Sequence, residues 1–157
     1  MSGSTAVVVL LPDAEPLLEA VRQIGPRLVR PLPAHVSLLY PGPAPGPGVL
    51  HEVTRLSPPS EVELRQVITG EDGFVGVAVP ALDAAVARLR ASFPAATPYG
   101  GRYGETPPAH LTVALGATRA QVGQVTRLVR NSLPRMSKVL GPYLLERTGT
   151  GWRPVTG

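Results

Sequence analysis

A six-residue pattern occurs twice in this chain and restricts what it can fold into more than any other feature. Pro33-Ala34-His35-Val36-Ser37-Leu38 returns 75 positions on as Pro108-Ala109-His110-Leu111-Thr112-Val113. Apolar and polar side chains alternate within each copy, as they do in a strand with two unlike faces. Side chains at i and i+2 of a strand point the same way. His35 therefore stands beside Ser37 and His110 beside Thr112, while Val36, Leu38, Leu111 and Val113 turn to the opposite side. Each strand carries an imidazole and a hydroxyl on one face, and the expectation is that the two strands bring these pairs together around a phosphate.

The segments around the motif also repeat. Residues 6–11 read as a buried strand ended by Pro12, with Asp13 placed to cap a helix whose apolar face is Leu17, Leu18, Val21 and Ile24. Gly25-Pro26 stops that helix, Arg27 and Arg30 lie on the approach to the first motif, and the motif strand runs over 34–40. A proline-glycine loop over 41–48 leads to a short helix over 50–56. One strand is expected over 61–68, with Val62, Leu64 and Gln66 on its inner side, then a turn over 69–73 into a strand over 74–79.

Leu82, Val86, Leu89 and Phe93 recur at helical spacing, with Asp83 in the first turn. A loop over 97–108 enters the second motif strand, 109–115. Thr118 and Gln121 form a capping box opening a helix with Val122, Val125, Leu128, Val129 and Leu133 on one face. A hairpin over 139–147 and 152–155 closes the chain.

Val53-Thr54-Arg55-Leu56 after the first motif is repeated as Val125-Thr126-Arg127-Leu128 after the second. An internal duplication accounts for this correspondence. The expected fold is α+β: a single domain over 1–157 with lobes of about 5–73 and 74–157, between which strands are free to interleave. Pseudo-twofold symmetry would set antiparallel sheets around a central cleft, helices outside, and the two His strands opposite one another across it.

At 157 residues and 43% hydrophobic content the chain can bury a substantial core. It has no cysteine, so disulfides and thiolate metal sites are excluded. The apolar run 6–11 is too short for a signal peptide or a membrane span, and the expectation is a cytoplasmic protein with no membrane association and no obligate protein partner. Of the 15 cations only Lys138 is a lysine. Arginine suits bidentate phosphate contacts, although an arginine-, alanine- and proline-rich chain is also what a GC-rich genome encodes.

Two His-x-Ser/Thr motifs on strands half a chain apart, each with the same Pro-Ala prefix in a duplicated α+β chain, resemble those of the 2H phosphoesterase superfamily. That superfamily includes the bacterial 2'-5' RNA ligase-like proteins and cyclic nucleotide phosphodiesterases. The resemblance covers nearly the whole chain. It implies a catalytic pair at His35 and His110 and phosphate-holding hydroxyls at Ser37 and Thr112. One position departs from the pattern. Ligase-like relatives that act on RNA often carry an arginine a few residues after the second motif, where this chain has Ala114-Leu115-Gly116. Arg102 and Arg119 are the nearest substitutes.

Two facing imidazoles, each with an ordinary pKa near ~6.5, can divide acid and base roles at neutral pH. For a 2',3'-cyclic phosphate or a 2'-5' linkage at a nucleotide or RNA end, one deprotonates water and the other protonates the departing ribose oxygen. Ser37 and Thr112 donate to the non-bridging oxygens. This chemistry requires neither metal nor cofactor. Tyr40, Tyr99, Arg102 and Tyr103 are candidate substrate contacts, because tyrosines stack on bases and arginine clamps phosphate. Phe74 and Trp152 read as packing residues.

The competing readings are structural histidines, a zinc site completed by His51 or Glu105, a non-catalytic binder of RNA ends or nucleotides, and a scaffold recruited to a non-nucleotide metabolite.

Overall fold

The computed structural model describes residues 4–101 and 107–156. Its elements in order are β1 (Thr5–Leu10), α1 (Glu15–Ile24), β2 (His35–Leu39), α2 (Pro47–Thr54), β3 (Glu61–Leu64), β4 (Val67–Thr69) and β5 (Val75–Ala78). There follow α3 (Asp83–Ser92), β6 (His110–Ala114), α4 (Arg119–Ser132), β7 (Arg135–Lys138), β8 (Leu140–Thr148) and β9 (Gly151–Pro154). The architecture is α+β, a mostly antiparallel sheet with four helices packed around it. Seven strands form one sheet in the order β4-β5-β6-β2-β1-β8-β9, and β3 pairs with β7 in a second.

The series strand, helix, strand, helix, strand, strand runs twice, from β1 to β4 and from β5 to β8. A 3-10 turn follows the first strand of each run, at Pro12–Ala14 and at Pro80–Leu82. The last strand of each run leaves it: β4 pairs with β5, and β8 with β1. The two runs are thus interleaved through the large sheet. Both His strands sit at its middle as direct neighbours, so they lie side by side in one sheet instead of facing each other from opposite walls of a cleft.

One continuous core occupies the helix side of the sheet. Val7, Val9, Val36, Leu38, Leu111 and Val113 meet Leu17, Leu18 and Val21 of α1, Val86 and Leu89 of α3, and Val125 and Val129 of α4, all buried. This is the apolar set that strand alternation and helical spacing assign to the inner faces. At the start of α4 both capping-box bonds form: the Gln121 backbone N–H donates to Thr118 Oγ1 at 3.2 Å, and the Thr118 N–H to Gln121 Oε1 at 3.0 Å.

Four expectations change. Residues 61–68 are two strands in different sheets, because the inward alternation of Val62 and Leu64 ends at exposed Gln66, and Val67 and Ile68 are then both half-buried. The second helix starts at Pro47, whose missing N–H costs nothing in a first turn, and not at Leu50. Asp13 does not cap α1; its carboxylate accepts the Lys138 N–H at 2.8 Å and ties the first turn to β7. The strand β7 itself was not foreseen, since in Arg-Met-Ser-Lys only Ser137 turns inward.

Candidate active site

The two histidines are delivered by the same set of contacts. Ala34 O accepts the Leu11 N–H at 2.9 Å, and Ala109 O accepts the Val79 N–H at 2.9 Å. The Ala34 N–H donates to the Glu15 carboxylate from the start of α1, and the Ala109 N–H to Asp83 Oδ1 at 2.7 Å from the start of α3. Pro33 O lies 2.9 Å from His35 Nδ1, and Pro108 O lies 2.9 Å from His110 Nδ1. Each residue of the repeated Pro-Ala-His thus has a task. The proline carbonyl orients the ring, and the alanine, buried in both copies, bonds through both its backbone groups.

A carbonyl only accepts, so Nδ1 carries the proton in both rings and Nε2 is the atom that gains or loses one. Val36 pairs with Leu111 across the centre of the sheet. One step either way along these antiparallel strands makes His35 the cross-strand neighbour of Thr112, and Ser37 that of His110. All four are half-buried, on the face turned away from the core. Two imidazoles and two hydroxyls therefore alternate around a four-cornered patch at the middle of the sheet.

Burial holds the His35 imidazole below the ordinary histidine range. The hydrogen bond to the Pro33 carbonyl works against this. The Arg30 guanidinium lowers it further, the Glu15 carboxylate raises it, and His110 lowers it slightly again.

Tyr40 and Tyr99 meet at the edge of the patch. Their ring centroids are 6.2 Å apart, the Tyr99 N–H donates to Tyr40 O at 2.7 Å, and both side chains line a crevice shared with Ser37, Pro107 and Pro108. Arg102 and Tyr103 lie outside the described residues, as does Glu105. Arg119 is exposed at the start of α4, and in Ala114-Leu115-Gly116, which follows the second motif, Ala114 is buried, Leu115 half-buried and Gly116 exposed. His51 is exposed on α2, and among the described residues no three His, Asp or Glu side chains gather where they could hold a metal ion.

Two aromatics read as packing residues also touch the site's surroundings. The Phe74 ring stands edge-on to His110, with centroids 5.4 Å apart and planes at 87°. It reaches there by folding across Gly76, where a Cβ would come within 2.6 Å of Phe74 Cζ. Gly76 is the β5 partner of Thr112, so this glycine was the sequence signal for the contact. Trp152 packs edge-on to Tyr40 at 5.9 Å, with the Arg147 guanidinium over its ring.

A family model of the 2'-5' RNA ligase superfamily matches residues 10–150, from the end of β1 to the β8–β9 turn. The chain belongs to this superfamily, that is, to the 2H phosphoesterases. The match includes both motifs and both helices that anchor them. No curated protein matches the chain. Membership of the 2H phosphoesterases, a superfamily of phosphodiesterases and ligases, supports phosphoester chemistry on nucleotide or RNA substrates. Among the described residues no helix is long and apolar enough to cross a membrane.

Proposed function

We propose that this 2H phosphoesterase is a metal-independent phosphodiesterase that opens 2',3'-cyclic phosphates or cleaves 2'-5' phosphodiesters at a nucleotide or RNA end. The observation that supports the reading is the paired anchoring of His35 and His110. Each is held through Nδ1 by the carbonyl two residues back, which leaves Nε2 as the exchangeable site on a sheet face shared with Ser37 and Thr112.

In the proposed reaction, His35 is the base, because its lowered pKa keeps it neutral near pH 7. Its Nε2 takes a proton from water as the water oxygen bonds to phosphorus. The bond from phosphorus to the ribose oxygen breaks, and protonated His110 gives that oxygen its Nε2 proton, leaving a phosphomonoester and a free hydroxyl. Ser37 and Thr112 donate to the non-bridging oxygens as their charge grows. Tyr40 and Tyr99 contact the group attached to the phosphate.

The test is turnover of 2',3'-cyclic, 3',5'-cyclic and 2'-5'-linked substrates in the presence of a chelator. Each correctly placed acid or base contributes roughly 10²–10⁴-fold, so His35→Ala and His110→Ala each lose at least about 100-fold in kcat. Full turnover by either variant rejects the two-histidine mechanism, and tight binding of a cyclic-phosphate end without product makes the protein a binder of RNA ends.

A further inference from the structure

The face that carries the histidines continues outward across β1 and β8, and its character changes there. Leu10 is the β1 partner of His35, and Leu140 is the β8 partner of Leu10; in the neighbouring row Val8 pairs with Ser37 and Tyr143 with Val8. Directly opposed residues of antiparallel strands share a face, so two rows run from the polar patch onto apolar ground. Leu10 and Leu140 lie outside the core, Leu140 is 42% exposed and Tyr143 37%. Leu140 and Tyr143 with half-buried Leu10 thus form contiguous apolar surface beside the patch, and such a surface marks a place where something apolar is covered.

A cavity of about 410 Å³ occupies this ground, lined by Leu10, Leu32 and Leu140 with Pro12, Pro31 and Pro33, and extending to Ala34 beside His35. That volume falls in the range of small-molecule sites. Several hydrogen-bonding groups of its wall are already committed. The three prolines have no N–H, Pro33 O holds His35, both backbone groups of Ala34 are bonded, and the Leu32 N–H donates to Arg30 O at 2.8 Å. Of its two charged members, Glu15 accepts the Ala34 N–H, and Arg22 pairs with Glu19 while donating to Arg30 O. An alkyl or acyl group entering here meets three leucines and three prolines.

We infer that this cavity is a subsite for an apolar substituent of the phosphoester, so that the protein selects substrates by the apolar size of one esterified group and not by base identity. The inference rests on the anion site proposed above at His35, His110, Ser37 and Thr112.

The test is calorimetric affinity for methyl, butyl and hexyl phosphate and for the four nucleoside 2'-monophosphates, on the wild-type protein, Leu140→Ser and Met136→Ser. A buried methylene contributes about 0.8 kcal/mol, an upper limit near fourfold per CH₂. The expected result is a gain of at least about twofold per CH₂ in the wild type and little difference among the four bases. The gain is lost in Leu140→Ser and kept in Met136→Ser, whose exposed side chain on β7 lies outside the cavity. Affinity independent of chain length, or a gain that survives Leu140→Ser, overturns the inference while methyl phosphate still binds. Failure of methyl phosphate itself to bind, with no turnover of cyclic substrates, instead rejects the anion site on which the inference stands.

Discussion

Replacing Asp83 with alanine tests whether the carboxylate at the start of α3 positions His110 or only closes the fold. Asp83 touches no atom of the four-residue patch; it accepts the N–H of Ala109 at 2.7 Å, the length of a charge-assisted bond. Ala109 is 3% exposed, so without Asp83 that N–H is left in the interior with no partner, a loss of about 1–3 kcal/mol. The carboxylate itself faces solvent, which screens its charge, and about 1.5 kcal/mol is the reasonable expectation. In a chain of this size 1 kcal/mol shifts Tm by roughly 2–4 °C, so Asp83→Ala melts about 3–6 °C below the wild type. Asp83→Asn keeps an acceptor and recovers roughly half of this.

The kinetic effect is larger than the thermal one. His110 hangs from Pro108 O, immediately before the freed amide, and a misplacement of about 1 Å costs on the order of 100-fold in rate. The expected readout is a fall in kcat of roughly 10- to 100-fold for Asp83→Ala, a smaller change in KM, and partial rescue in Asp83→Asn. Glu15→Ala does the same to His35 through Ala34. Wild-type kcat in an Asp83→Ala protein that has lost the expected stability refutes positioning, and an unchanged Tm refutes the anchor itself.

Three further outcomes follow from the structure. The depressed pKa of His35 places the acid limb of its kcat/KM profile below pH 6.5; Arg30→Gln removes a lowering charge and moves the limb up, Glu15→Gln moves it down, and equal profiles for all three proteins contradict the assignment of His35 as base. The same depression means that His35 contributes stability present above its unfolded pKa and lost as pH falls through the folded one, so denaturant midpoints of wild type and His35→Gln converge on acidification. Gly73→Ala costs about 1–2 kcal/mol for its φ of +71° and roughly 1–3 more because the new Cβ meets the Ala117 backbone, seen as a lower urea midpoint at constant m; an unchanged midpoint refutes the contact between that turn and the start of α4.

What the chain discloses by itself is whatever has a period or a local partner. The half-buried histidine and hydroxyl and the buried residue after each, in both motif strands, follow from alternation, and the α4 capping box spans only four residues. The carboxylates show the limit of this reading. Asp13 and Asp83 look alike in sequence, each an acid near the start of a helix after a proline. Yet Asp13 reaches Lys138 and Asp83 reaches Ala109, 125 and 26 residues away, through contacts that no local pattern encodes. The same limit hid β7, with its one buried hydroxyl.

It also hid how the two runs of elements meet. A repeat requires equivalent strands, and equivalence is satisfied equally by two strands facing across a gap or by two lying side by side. Only the Val36–Leu111 pairing decides between them. The outcome matters for chemistry. In one sheet the spacing between the imidazoles is fixed by the backbone ladder, so in the proposed reaction substrate binding need not close two lobes to bring them together, and selection would fall to what lies beside the patch. On one side that is the Tyr40–Tyr99 edge, and on the other the leucine-lined cavity that opens from Leu10.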